Sequence, residues 1–520
     1  MFVSYCVAQL RLCAVCLVLS LANLVASSAE AQSVSYSSVP RLRDPVVAYA
    51  ELHRPGPRRL WLTALEEAAF LGIGAGWYFL DKGTNIVDWD NPAWDQRFTR
   101  HVLRLDNNAF PINFVWHPLS GAAFHAAARA NGSSLFGAMA FSAFTSAAWE
   151  YLVEFREKVS VNDLIVTPVA GIALGEFASQ LGRYLHRTAR HPTRVQRTFG
   201  WLFGPMEAIH NGRRPSRGLG TPADNLGFSA DIWHRFSLQA GYAAGLDWVP
   251  RSAHLDSESV RGAELRSELE LVAVPSHLHA GSFRRFFHDA DVTRLRLRGS
   301  LGPAQQQDID LFAQSTLFGF YQQRMPEPGQ GHSWLAGFQL AYRYRRMSFG
   351  EFTDDLGLAL GGLSLRSWTR TRNCLVDIGL DVGPGMSGIH SFRYDDWANE
   401  HTSEVGKSIL EKHGYSYGFG GWGQFTLAIE SEFVRLTTRL HAGQYDSKQG
   451  LDRTQEKVTD DAPTRERLLD LEGIFELMPF RENGFTIALS LLSQLRTSQI
   501  DELLGKARLT RAFVLSGWTF

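Results

Sequence analysis

Cysteine is scarce in this 520-residue chain, and three of its four copies, Cys6, Cys13 and Cys16, crowd into the first sixteen positions. Only Cys374 lies beyond them, so once the leader is removed no intramolecular disulfide can form and a cross-linked secreted scaffold is excluded. Charge of one sign is also missing: 52 Lys and Arg against 53 Asp and Glu leave a net charge of -1, which offers no basic surface for nucleic acid. Past the leader no helical segment is a clean membrane span, and a mean hydropathy of -0.15 excludes a polytopic helical transporter. The HExxH and GxSxG patterns and any metal-spaced histidine pair are absent, and no cofactor is expected.

What is present begins with a processing signal. Arg11 precedes the apolar run "LCAVCLVLSLANLV", and "AEA" at Ala29 to Ala31 places small residues where a signal peptidase reads them. The expected divisions are a signal peptide at 1–31, an N-terminal extension at 32–56, an α-helical domain at 57–200, a linker at 201–229 and a β-barrel at 230–520.

From about Leu60 to Leu185 the apolar residues recur at helical spacing, and the segments are rich in Ala, Gly and Ser, which lets helix backbones approach closely. A Pro- and Gly-containing basic stretch, "HNGRRPSRGLGTPADNLG", reads as the linker. After about Ser229 the period changes to two. In "TRLRLRGSL" Leu295, Leu297 and Leu301 share one parity and Arg294, Arg296 and Arg298 the other, and "GAELRSELELVAV" sets Leu265, Leu269 and Leu271 against Glu264, Arg266, Glu268 and Glu270.

About twelve such segments, each of roughly 10 to 15 residues, fit a tilted bilayer crossing better than a soluble sandwich. The fold class expected is therefore α+β multidomain, an N-terminal α-helical domain followed by a C-terminal antiparallel transmembrane β-barrel. Leucines would face lipid, and the seven charged residues just named would form a cross-strand ladder lining the lumen. The terminal "FVLSGWTF" ends on Phe520, an aromatic terminus of the kind by which Gram-negative assembly machinery recognises such barrels. Phe513 and Leu515 share one parity and Trp518 and Phe520 the other, which requires either a bulge or a strand apolar on both faces.

In the helical region Asn113, His117-Pro118, Gly121, Arg129, Gly132, Ser146, Trp149-Glu150, Glu154, Ser160, Asp163, Gly171 and Gly175-Glu176 form a run of polar and small positions. His125 and Arg129 share a helix face at i,i+4, and Ser160 with Asp163 reads as a capping box. This run resembles a bacterial family known as domain of unknown function 3943, across roughly a hundred residues. The resemblance implies an envelope protein and carries no established activity.

The expected role is structural or channel-forming at the cell outer membrane, in contact with its lipid, with the helices as a periplasmic or plugging domain. The alternative is a lipid-active hydrolase or transferase using His117, His125, Glu150 and Glu154 as a metal-binding or acid/base set. The other reading of the same cluster is structural: with Asn113, Arg129, Ser160, Asp163 and Glu176 these residues would form a buried hydrogen-bond network, His to Glu and Arg to Glu, that fixes helix register in an Ala-rich domain.

Overall fold

The computed structural model describes residues 57–80, 92–99, 102–106, 108–188, 192–211, 232–251, 254–274, 277–301, 307–327, 329–349, 352–400, 409–447, 462–480 and 484–519. The signal peptide, the extension up to residue 56 and Phe520 lie outside these residues. Eight α-helices are described. Six precede the barrel: α1 (Leu60–Leu80), α2 (His117–Ala130), α3 (Leu135–Ala148), α4 (Val161–Arg187), α5 (Arg194–Phe203) and α6 (Pro205–Asn211). Helix α6 and the end of α5 occupy positions read from sequence as linker, because Pro205 at the first helical position of α6 and the Thr193 hydroxyl that caps α5 by accepting from the Gln196 N–H override the Gly and basic residues nearby.

Helices α2 and α4 cross at their glycines. A Cβ on Gly121 would collide with the Thr167 carbonyl, and one on Gly171 would collide with the Gly121 backbone. These two positions need glycine for approach rather than for turning. A π turn, Ile112–Trp116, leads into α2, and another, Trp149–Val153, follows α3.

Twelve antiparallel strands close into a barrel. They are β1 (Trp233–Arg251), β2 (His254–Val272), β3 in two segments (Gly281–Phe287 and Val292–Leu301), β4 (Gln307–Glu327), β5 (Gln330–Phe349), β6 (Phe352–Arg370), β7 (Cys374–His390), β8 (Tyr415–Ser431), β9 (Val434–Ser447), β10 (Thr464–Phe480), β11 (Phe485–Ile500) and β12 (Leu503–Thr519). Each pairs with its sequence neighbours, and β12 returns to β1 through pairs such as Val514 with Tyr242. The unbroken strands run from 14 to 21 residues, longer than the alternation alone delimited. Long connections are confined to one rim, where β7 and β8 are joined through α7 (Tyr394–Glu400) and α8 (Ile409–His413).

Strand β12 keeps unbroken register with both neighbours, so its two apolar parities are two apolar faces and not a bulge. Phe513 and Leu515 point into the bore and are buried, whereas Val514 is exposed on the outer face.

The break in β3 is a finding of the structure. Between Phe287, opposite Gly319, and Val292, opposite Thr316, the chain advances five residues against three on β4. The intervening segment is "HDAD", two residues more than the facing strand supplies, in which Ala290 takes a positive φ of 57° and its N–H reaches the Leu317 carbonyl at 2.9 Å. A bulge of this kind re-aims a side chain, here Asp289.

The helical domain lies on the outside of the barrel wall. Val166, Ala170 and Ala173 of α4 form one core with Tyr342, Ala359 and Met386, residues of the outward parity on β5 to β7. Near the other rim Phe177, Leu181 and Leu185 pack on Phe236, Leu269 and Leu271 of β1 and β2. Helix α4, about 40 Å long at 1.5 Å per residue, thus follows the wall from rim to rim. The expectation of a plug or of a domain beneath the barrel is corrected: none of the described helices enters the bore. The outward Leu269, Leu271 and Leu295 meet helices there, because an apolar strand face accepts either protein or hydrocarbon.

Candidate functional site

The contact between helices and wall contains two polar clusters strung along α4. The first sits near the rim that carries the long β7–β8 connection. Asp106 accepts from the side chains of Asn108 at 2.6 Å, Asn113 at 2.9 Å and Tyr417 at 3.1 Å, while its own N–H donates to Asn162 Oδ1 at 2.8 Å. Tyr415 donates to the Asn108 carbonyl at 2.6 Å. Both tyrosines stand on the outward face of β8, so the barrel presents hydroxyls to the helical domain where a bare wall would present leucines.

Beside Asp106, Phe114 enters a socket in the wall. A Cβ on Gly357 or on Gly388, neighbours on β6 and β7, would collide with its ring. Phe114 is fully buried, and Tyr342 donates to its carbonyl.

The start of α4 is capped in an unanticipated way. Ser160 Oγ accepts from the Asp163 N–H at 3.2 Å, but the Ser160 N–H donates to Glu150 Oε2 at 2.9 Å and not to Asp163. Glu150, carried by the π turn after α3, supplies the reciprocal half of the box. The Asp163 carboxylate is left to accept from Asn162 at 2.8 Å and to face His117 Nδ1 at 3.5 Å, and His117 also contacts Thr167 Oγ1 at 3.2 Å.

The carbonyls of this π turn converge on Arg97, a residue that no sequence pattern singled out. Its guanidinium donates to the carbonyls of Glu150, Tyr151, Glu154, Phe155 and Glu157 at 2.6 to 3.2 Å. Burial and the neighbouring Glu157 push the Glu154 carboxyl up to about 8, and burial with Glu154 nearby pushes Glu150 well above the carboxylate range.

The second cluster is centred on Glu176 of α4. His125 Nε2 lies 2.6 Å from Glu176 Oε2, and Arg129 approaches both Glu176 oxygens at 3.0 Å. Arg183 at 3.2 Å and Gln180 at 2.9 Å complete its shell. The two arginines also grip Asp289 in the break of β3, Arg129 at 2.6 Å and Arg183 at 3.2 Å. Two guanidiniums thus face two carboxylates, and the set balances without a counter-ion.

The four residues read as a catalytic set are therefore divided. His125 belongs to Glu176, and His117, two helical turns earlier, belongs to Asp163 and Thr167. Glu150 is engaged by a helix cap, and Glu154 lies at the end of the π turn. Among the described residues no group of three or more His, Cys, Asp or Glu is arranged to hold a metal ion.

The run Asn113 to Glu176 is thus distributed over a socket, a helix crossing, a cap and a clamp on the barrel. Residues 102–206 match the model of a domain of unknown function, DUF3943. The DUF3943 region accordingly begins just before Asp106 and ends within α6. No curated protein matches the chain.

Similar solved structures include the translocator domain of the autotransporter NalP from Neisseria meningitidis, 10% identical over 55% of this chain and 88% of that one, with a TM-score of 0.20. The toluene transporter TodX of P. putida is 10% identical over 55% and 89% with a TM-score of 0.20, and Ail of Yersinia pestis is 12% identical over 55% and 98% with a TM-score of 0.14. At such scores the barrel assignment rests on this chain's own strand register.

The bore is crowded. The register sets Glu270 opposite Arg294, Glu268 opposite Arg296 and Arg266 opposite Arg298. Only the first of these is a cross-strand pair, at 2.9 Å. Arg296 donates to Gln424 at 2.7 Å, Arg266 reaches Glu472 at 3.0 Å, and Arg298 is shared between Asp310 at 3.4 Å and Glu264 at 3.8 Å. Glu268 is engaged by Arg439, and Glu270 additionally by Arg366. The ladder expected along one wall is corrected to a web across the bore, because a guanidinium on a long stem reaches the far side of a narrow barrel. An inner apolar layer, including Leu356, Leu358, Trp422 and Leu468, adds to the filling. A cavity among Arg266, Glu268, Arg296, Arg439 and Glu472 has a volume of about 80 Å³, room for a few waters.

Proposed function

We propose that this chain is an exported outer-membrane β-barrel with a sealed bore, whose wall serves as a platform for the DUF3943 region. Its role in this reading is structural and not conductive. The outward belt that includes Leu380, Leu440, Leu471, Leu489 and Val514 supports contact with lipid, as do strands long enough for a tilted crossing. Recognition of Phe520 by barrel assembly machinery and cleavage of the N-terminal signal belong to the same proposal.

The observation that carries the reading is the web of ion pairs spanning the bore. Arg235 of β1 meets Glu430 of β8 at 2.8 Å, and Arg343 of β5 meets Asp470 of β10 at 2.7 Å. A hydrated ion entering the bore would have to separate buried pairs, each of which is costly to break. Planar-bilayer recording tests this. The intact protein is expected to give no unitary steps, and the double variant Glu268→Ala/Arg439→Ala, which deletes one cross-bore pair and enlarges the cavity it lines, is expected to pass small ions. Steady conductance of the intact protein would overturn the proposal.

A further inference from the structure

The helices of the DUF3943 region and the helix before it are polar inside and apolar outside. In α1 the two carboxylates turn inward: Glu67 is 3% exposed, and Glu66 accepts from Asn131 at 2.7 Å and meets His210 at 2.8 Å. On its other side Trp61, Leu65, Ile73 and Trp77 are half to three-quarters exposed. Helix α3 repeats the arrangement, with Ser142, Thr145 and Ser146 buried while Phe144 is 71% exposed.

In water that distribution would be reversed, since a surface helix buries its apolar stripe and solvates its polar one. Hydrocarbon imposes the opposite order: a polar group is tolerated only where other protein groups satisfy it, and large apolar side chains face outward. Helix α4, behind these two, departs from the expectation of no clean span: among the described residues it is the helix long and apolar enough, by length and composition, to cross a membrane. It follows the barrel wall from rim to rim, so the exposed faces of α1 and α3 continue the outward apolar belt of the strands.

We infer that the outward face of α1 and α3 is embedded in the acyl-chain region of the bilayer beside the barrel. The inference rests on the membrane reading of the barrel. It makes the DUF3943 region a helical layer inserted between lipid and wall, with its polar clusters shielded from both water and hydrocarbon. Acyl chains are favoured over a protein partner because the apolar face joins the wall's own belt and because the acids of α1 face inward, Glu66 paired with Asn131 and His210 and Glu67 buried.

Single nitroxide labels in a Cys374→Ser background test the inference on the full chain reconstituted in phosphatidylcholine vesicles. Labels are placed at Ile73→Cys, at Phe144→Cys, at Leu380→Cys on the wall and at Arg372→Cys in the β6–β7 turn. Collision rates with oxygen, which concentrates in lipid, and with a water-soluble nickel chelate are compared. Ile73 and Phe144 are expected to match Leu380, with high oxygen and low nickel accessibility. A match to Arg372 would overturn the inference, as would protection from both reagents, which would mean a protein covers the face. If Leu380 itself proves nickel-accessible, the membrane reading of the barrel fails first.

Discussion

The guanidinium of Arg129 and the carboxylate of Asp289 lie 2.6 Å apart although 160 residues separate them in the chain. The contact joins α2 to the one interrupted strand of the barrel, and Arg183 completes it from α4 at 3.2 Å. Removing one member strands the others in a buried setting. Asp289→Ala is therefore expected to weaken the attachment of the helices by about 3–5 kcal/mol. Native-state hydrogen exchange checks this: amides of α2 and α4 should lose protection while those of β8 to β11 keep theirs. Unchanged protection in α4 would contradict the clamp.

Phe114 gives a second, apolar point of attachment. Phe114→Ala empties the socket over Gly357 and Gly388 and should cost about 3–5 kcal/mol, the usual range for a buried aromatic ring. Gly388→Ala fills the socket from the other side and should displace the ring. Both variants are expected to increase proteolytic cleavage within the helical region of detergent-solubilised protein and to leave the barrel resistant. Equal sensitivity of wild type and both variants would argue against the socket.

Much of this architecture is legible in the residues, and the remainder is hidden for physical reasons. Period-two alternation in "TRLRLRGSL" reports the strand and its two faces, because a polar bore and an apolar exterior both impose it. The same alternation cannot distinguish a leucine that meets hydrocarbon from one that meets a helix, so Leu269, Leu271 and Leu295 gave no hint of the docking face. Small Gly357 and Gly388 and the hydroxyls of Tyr415 and Tyr417, all on the outward parity, are the signals that could have marked it. Asp289 escaped notice because "HDAD" breaks the period and reads as loop. Arg97 escaped because a side chain that caps carbonyls needs no sequence partner. His117 and Glu150 admit both a catalytic and a structural reading from sequence, since titratable groups in an apolar region carry the same pattern whether they act on a substrate or hold a helix end.

Acidity should stabilise the connection between α3 and α4. The Glu154 carboxyl has its ordinary value of 4.5 in the unfolded chain and about 8 in the folded one. Below 4.5 both states hold the proton and the burial of a charge is avoided. Between 4.5 and 8 the unfolded state releases its proton while the folded state keeps it, so stability falls as pH rises through that window and levels off above it. The thermal midpoint of the helical signal in far-ultraviolet circular dichroism is expected to fall across this range, and Glu154→Gln should flatten the fall. A midpoint that rises with pH in the wild type would contradict the assignment.

The central claim is that the helices sit on the outside of the wall and not in the bore, and a cross-link tests it most directly. Ser315 on the outward face of β4 donates to the Ala173 carbonyl of α4 at 3.1 Å. In a Cys374→Ser background the pair Ala173→Cys and Ser315→Cys is expected to form a disulfide in the folded protein. No bridge should form between Ala173→Cys and Gln339→Cys, whose side chain is buried on the bore side of β5. A bridge to position 339 with none to position 315 would place the helices inside the barrel and contradict the account.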